Sequence, residues 1–241
     1  MKETPAPTAT ARPANAPARF AVRWALGLGL LITSTVGWFA LAGRTDWVQG
    51  WIFAVSFAAF GNGLGLWLRK TDPGLLEERS RPAANVEPWD RWVIRTHTVL
   101  FVALLVVAAL DAGRYRWSLV PIPAQVAAWL GVVTGGTIIG HVFRVNRFLS
   151  SHARIQDDRG QMVVSRGLYG LVRHPMYVAV MLWAVLLPPA LGSLLALVPG
   201  VLTVVLFVYR TAREDRMLQE RLAGDPEYAT RVRYRLVPGI W

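Results

Sequence analysis

The sequence contains no cysteine among its 241 residues. Disulfide bonds, thiolate metal ligands and a cysteine nucleophile are therefore excluded. Charged residues make up only 17% of the chain, whereas soluble proteins average about a quarter. The four histidines are scattered along the sequence, which argues against a metal site. This composition disfavours a conventional soluble enzyme.

Long apolar stretches take the place of the missing charge. Five of them approach or exceed the roughly 20 residues that cross a bilayer core: residues 24–43, 47–68, 96–110, 117–143 and 175–209. Pro188 and Pro189 interrupt the last stretch, which favours a helical hairpin there. The sequence therefore predicts an all-α, polytopic membrane protein with five or six transmembrane helices, of which the last two form the hairpin.

The basic residues alternate between the two sides of these spans. The N-terminal tail, the two long loops and the C-terminal segment hold 23 of the 26 Lys and Arg, against three on the other side. By the positive-inside rule, both termini are cytoplasmic. The net charge of +11 is thus explained by topology, and a nucleic-acid partner loses its support. The excess of Arg over Lys is typical of a GC-rich bacterial genome, so we expect a bacterial inner membrane.

Composition also divides the chain into three parts. Residues 1–20 are rich in Ala and Pro and predict a disordered tail. Residues 21–143 hold four spans. Residues 144–241 combine a cytoplasmic loop, the hairpin and a C-terminal segment, and we expect the chemistry here because the long loops and the tail meet at this face.

Two polar clusters flank the hairpin. Arg173 and His174 precede Pro175, which suits the first position of a helix, and the helix N-terminus together with Arg173 favours an anion. Arg210 and Glu214, four residues apart, share one helical face where the last helix leaves the membrane. A hairpin brings both clusters to one level, where they could hold a zwitterionic ligand. There is an equally simple alternative without a ligand. Arg173 and His174 would contact lipid headgroups, and Arg210 and Glu214 would form an ordinary solvent-exposed ion pair on a helix.

The motifs carry a family resemblance. The string Gly167-x-Tyr169-x-x-Val172-Arg173-His174-Pro175-x-Tyr177 is followed by Glu214-Asp215-x-x-Leu218 and by Gly224-x-x-x-Tyr228. Over residues 156–241 the chain resembles the isoprenylcysteine carboxyl methyltransferase and phospholipid methyltransferase group of integral membrane enzymes. The resemblance implies methyl transfer from S-adenosylmethionine to a lipophilic or membrane-embedded acceptor, without a metal.

The resemblance also implies roles for individual residues. Arg210 falls where the carboxyl methyltransferases orient their substrate, and Arg173 is expected to support the same catalytic pocket. The implied cofactor-binding residues come from the loop, the start of the hairpin and the last helix: Gln156, Gln161, Met162, Val163, Val164, Tyr169, His174, Pro175, Met176, Tyr177 and Glu214.

The acceptor remains open at this stage. Isoprenylcysteine carboxyl O-methylation is the family archetype, and a carboxylate acceptor needs no general base. Phospholipid N-methylation or thiol S-methylation would need a base, for which Glu214 or His174 is the nearest candidate. A non-catalytic membrane protein that binds a lipid or a partner is the alternative from another class.

Overall fold

A computed structural model describes residues 16–80 and 85–241, with side chains described from residue 25 onward. The regular secondary structure of the described part is helical, with α1 Ala16–Ala42, α2 Val48–Thr71, α3 Pro73–Ser80, α4 Pro88–Ala108, α5 Ile122–Val145, α6 Pro175–Ala190, α7 Leu197–Arg221 and α8 Asp225–Arg231. A π-helical segment, Ala109–Tyr115, continues α4, and two 3₁₀ turns lie between α5 and α6. The predicted tail, residues 1–20, falls outside the described residues up to residue 15, and α1 already begins at Ala16. The described residues divide into two compact units, one that ends at residue 37 and one that covers residues 38–241.

Within the described residues, four helices are long and apolar enough to span a membrane: Ala25–Ala42 within α1, all of α2, α4 with its π-helical extension, and α5. The all-α, polytopic membrane class is therefore confirmed. The third helix is longer than its apolar stretch of residues 96–110, because it begins at Pro88 and carries charged residues in its first turns. The apolar parts of the hairpin arms are shorter: α6 has 16 residues, about 24 Å at 1.5 Å per residue, and α7, with 25 residues, turns polar at Arg210.

The proline pair lies inside α6 rather than in the turn between the hairpin arms. Pro188 and Pro189 occupy the last turn of the helix, and the chain reverses over residues 191–196. Proline donates no backbone hydrogen bond, so the carbonyl of Ala184 loses its usual helical partner. The backbone of Gly200 in α7 lies directly against that carbonyl, where a Cβ atom would clash. Glycine at this position thus allows the two arms to meet closely.

A buried carboxylate fixes the hairpin turn at the end of the bundle remote from the hairpin's polar motifs. Asp111, in the π-helical segment, accepts hydrogen bonds from the hydroxyls of Ser118 and Ser193, both at 2.6 Å, and from the backbone N–H of Leu195. Asp111 is fully buried. The turn is thereby tied to the end of the third span.

Helix packing places the polar residues of α4 beside those of α7. Small residues of α5 allow α6 to approach, since Gly135 faces the indole of Trp183, whose Nε1 donates to the carbonyl of Val132 at 2.8 Å. In turn, α7 packs against α6 and α4. The first turn of α4 and the polar half of α7 therefore meet at one end of the bundle.

Candidate active site

A cavity of about 330 Å³ lies where α4, α6 and α7 meet the loop that follows α5. Nine of the thirteen residues implied by the resemblance line it: Gln156, Gln161, Tyr169, Arg173, His174, Met176, Tyr177, Arg210 and Glu214. The remaining four do not. The side chain of Met162 is 65% exposed and Pro175 is fully buried in the protein, while Val163 packs towards Gly224 and Val164 also lies outside the cavity.

Asp215 organises one wall of the cavity. Arg173 donates to both of its carboxylate oxygens, at 2.7 and 2.9 Å, and His174 Nε2 lies 3.3 Å from Oδ1. Arg235 and Gln219 complete the ring of donors, at 2.8 and 2.7 Å. Burial alone would raise the pKa of Asp215, but the hydrogen bonds from His174, Arg173 and Arg235 outweigh it and lower the pKa well below the usual range.

The C-terminal segment closes the same motif through the backbone. The N–H groups of Arg173 and His174 donate to the carbonyls of Tyr234 and Arg235, each at 2.9 Å. His174 immediately precedes α6, as the sequence predicts. Both side chains, however, face Asp215 and both N–H groups are already bonded, so this pair is not the free anion site that the spacing favours.

Arg210 is paired with a residue that the motifs do not include. Its Nε and Nη2 donate to the carboxylate of Asp90, at 2.9 and 3.3 Å, and Nη2 also donates to the carbonyl of Ser151. Asp90 is fully buried and additionally accepts the N–H of Ala153 at 2.8 Å. The expected partner, Glu214, lies farther away, with 4.0 Å between its Oε2 and Arg210 Nε. The charge of Arg210 is therefore balanced mainly from α4.

Glu214 is the carboxylate that remains available to a ligand. The hydroxyl of Tyr177 donates to its Oε2, which fixes the side chain towards the cavity. The rings of Tyr177 and His174 are stacked, with centroids 5.4 Å apart and planes 6° apart. Because Arg210 donates its hydrogen bonds to Asp90 and Ser151 rather than to Glu214, the carboxylate of Glu214 can still attract a cation in the cavity.

The loop between α5 and α6 is held by its own polar side chains. Gln156 is almost wholly buried and uses its amide internally: Nε2 donates to the carbonyl of Phe148, and Oε1 accepts from Arg159. Asn146 donates to the hydroxyl of Tyr169 at 2.8 Å, and Tyr228 donates to the Tyr169 carbonyl at 2.6 Å. Burial raises the pKa of Tyr169 to about 12. These residues shape the cavity more than they offer free groups to a ligand.

Two apolar cavities extend from the polar one into the helix bundle. The first, of about 260 Å³, shares His97 and Val180 with it. The second, of about 550 Å³, continues from there past Phe57, Trp183 and Leu187. Nδ1 of His97 is buried and has no hydrogen-bond partner among the described residues. Apolar cavities within the helix bundle thus adjoin the polar cavity.

Sequence reasoning assigned no role to Asp90, which pairs with Arg210, or to Arg79 and His152, which line the cavity. Asp90 lies just before the third apolar stretch, in a position typical of a solvated residue, and only its packing against α7 reveals its role. Arg79 and His152 line the cavity from α3 and from the loop. Among residues 16–80 and 85–241, no group of three or more His, Asp or Glu is arranged to hold a metal ion.

Fold and site together define an integral membrane protein of the polytopic all-α class, with a polar cavity at one end of its bundle. The model of the isoprenylcysteine carboxyl methyltransferase (ICMT) family matches residues 124–220. The match runs from α5 to the end of α7 and includes both hairpin motifs. The resemblance to this family is thereby confirmed for that segment, and the match supports a membrane methyltransferase.

A second comparison concerns a reductase. The chain is 33% identical over 90 residues to the Delta(14)-sterol reductase erg24 of Schizosaccharomyces pombe. The aligned part covers 36% of this chain and 21% of that protein, so the chain matches about a fifth of the length of this relative. The name of that protein describes a reaction on a sterol.

Proposed function

We propose that the protein transfers a methyl group from S-adenosylmethionine to a lipophilic acceptor that reaches the cavity from the membrane. The observation that carries the proposal is the polar cavity itself: most of its lining belongs to the segment matched to the methyltransferase family, and an apolar cavity adjoins it at His97 and Val180. A ligand with one polar and one apolar end would be accommodated by this combination. The enzyme would be an integral membrane protein whose acceptor enters from the lipid bilayer.

The donor set fits the cofactor. Glu214, oriented by the hydroxyl of Tyr177, offers its carboxylate to the ammonium or sulfonium, and Tyr177 and His174 present aromatic surface beside it. When bound, S-adenosylmethionine supplies a methyl group activated by its positive sulfur. No Gly-rich turn between a strand and a helix occurs in the sequence, so the cofactor would be held by helix ends and loops rather than by a nucleotide-binding sheet.

Catalysis would rest on positioning. Arg210 is fixed by Asp90 and Ser151 and presents a guanidinium to the cavity, where it can orient an acceptor without moving. The apolar walls around His97 and Phe207 strip water from the acceptor and leave it more reactive. A carboxylate acceptor needs no further help, whereas an amine or thiol must lose a proton, for which Glu214 is the nearest base.

The test is cofactor binding to protein reconstituted in nanodiscs, measured by calorimetry. Glu214→Gln and Tyr177→Phe should each weaken S-adenosylmethionine about tenfold, the effect expected when a charged hydrogen bond is lost. Glu220→Gln, an exposed carboxylate on the same helix, is the matched control and should bind as the wild type does. Absence of binding to well-folded wild-type protein would refute the proposal.

A reductase is the second candidate, favoured only by the similarity to the sterol reductase. Reduction of a double bond requires a hydride donor in place of a methyl donor. The same titration with a reduced nicotinamide dinucleotide separates the two: binding of that cofactor without S-adenosylmethionine binding would favour the reductase.

A further inference from the structure

Four guanidinium groups line the cavity, and one of them differs from the others. The nearest carboxylate oxygen lies 2.8 Å from Arg154, 2.7 Å from Arg173 and 2.9 Å from Arg210. Arg79 also lines the cavity, yet within the described part of the chain it forms no ion pair or hydrogen bond with a carboxylate. Three of the four charges are therefore balanced inside the protein, and the fourth is not.

The position of Arg79 is fixed by its neighbours. Its Cζ lies 4.9 Å from the ring centroid of Phe143, at the end of α5. The preceding residue, Glu78, accepts two hydrogen bonds from Arg154 of the loop, at 2.8 and 3.2 Å, and Leu75 is fully buried beneath the same short helix. α3 is thus held on both sides, and Arg79 is presented to the cavity from a rigid support.

The guanidinium of Arg79 is partly removed from water, and no carboxylate among the described residues compensates for the lost hydration. Burial lowers the pKa of Arg79, and the nearby positive charge of Arg210 lowers it further. Burial also acts on Arg154, but there the hydrogen bonds to Asp158 and Glu78 reverse the effect and raise the pKa. A guanidinium does not lose its proton in proteins, so a half-buried one without a counter-charge is costly unless a ligand supplies the anion.

We propose that Arg79 binds a carboxylate group of a ligand in the cavity, an inference that rests on the proposed function. Two sources have the same chemistry: the carboxylate of the cofactor, and a carboxylate on the acceptor. A guanidinium matches either one by donating two parallel hydrogen bonds. Glu214, which Tyr177 orients, and Arg79, which has no carboxylate partner among the described residues, then give the cavity one negative and one positive group for a ligand.

The experiment measures binding of four probes to reconstituted wild type, Arg79→Gln and Arg79→Lys. S-adenosylmethionine is compared with decarboxylated S-adenosylmethionine, and octanoate with octanamide, so each pair differs in its carboxylate. Arg79→Gln should weaken one carboxylate probe about 10- to 100-fold and leave its neutral analogue unchanged, while Arg79→Lys retains part of the affinity. Arg216→Gln, an exposed arginine outside the cavity, is the matched control.

The pair that responds identifies the source of the carboxylate. Unchanged binding of both carboxylate probes to Arg79→Gln, or equal weakening of a probe and its neutral analogue, would overturn the inference. If the wild type binds S-adenosylmethionine and neither carboxylate depends on Arg79, only this inference fails. If octanoate depends on Arg79 while S-adenosylmethionine does not bind, the inference stands and the proposed function fails. Binding of neither carboxylate to the wild type removes both.

Discussion

Replacing Asp90 by asparagine tests whether the buried ion pair between Asp90 and Arg210 stabilises the helices around the cavity. The carboxylate is fully buried, receives two hydrogen bonds from Arg210 and one from the N–H of Ala153, and joins α4 to α7. Asparagine preserves the shape but removes the charge. Arg210 then remains buried without a counter-charge. The NH2 group of the new amide can also point at the N–H groups of Arg210 or Ala153, where no hydrogen bond can form.

The magnitude follows from the burial of the pair. Removing one partner of a buried ion pair costs about 3–5 kcal/mol. For chains of 150–250 residues each kcal/mol lowers the melting temperature by about 2–4 °C, so Asp90→Asn should lower Tm by about 6–20 °C. The assay is thermal unfolding in detergent followed by tryptophan fluorescence. Asp46→Asn, whose side chain is 75% exposed in its pair with Arg44, is the control and should change Tm little.

A double-mutant cycle then isolates the pair. Arg210→Gln should also destabilise, because it leaves Asp90 buried and unpaired. The double variant removes both charges, so its loss should be clearly smaller than the sum of the two single losses. Additive losses, or a Tm of Asp90→Asn within about 2 °C of the control, would refute the reasoning that this ion pair holds α4 against α7.

The remaining predictions concern pH and packing. Burial and the nearby charge of Asp215 raise the pKa of Asp225 to about 6. Because the folded state then holds its proton longer than the unfolded state, this group lowers stability as pH rises from about 4 to about 6. Asp225→Asn should remove that fall, seen as a Tm advantage over wild type that grows across this range; a constant difference would contradict the assignment. Gly200→Ala should lower Tm by several degrees, because its Cβ would clash with the Ala184 carbonyl, whereas Gly140→Ala, with open space around it, should not.

The helices could be predicted because their signals are local. An apolar run of about 20 residues specifies a span by itself, and Pro175 specifies the start of α6 through its missing N–H. The same reasoning misplaced Pro188 and Pro189, which end α6 instead of forming the turn. A proline weakens a helix by leaving a carbonyl unbonded and by crowding it with the ring, and here Gly200 of the neighbouring arm lies against the carbonyl that Pro188 leaves unbonded. The sequence of α6 alone does not contain that neighbour.

Which charged residues pair with each other could not be predicted from the local sequence pattern. Helical spacing correctly brings Arg210 and Glu214 to one face, at 4.0 Å, but it carries no information on a competitor from another helix. Asp90 lies 120 residues earlier and is closer to Arg210, so it takes the guanidinium and leaves Glu214 to Tyr177. This pairing matters for function as well as for stability, because it decides which charged groups in the cavity remain for a ligand.

The same argument separates the arginines of the cavity. Arg79 and Arg173 are indistinguishable as residue types, and the motif points to Arg173. In the folded protein, however, Arg79 rather than Arg173 is available to a ligand. Arg173 donates to Asp215 through two nitrogens and to two backbone carbonyls through a third, so no part of its charge is left uncompensated. Among the described residues, the contact of the Arg79 guanidinium is with the ring of Phe143. The charge of Arg79 is therefore left for a ligand, whereas the guanidinium of Arg173 ties the start of α6 to α7 and to the C-terminal segment.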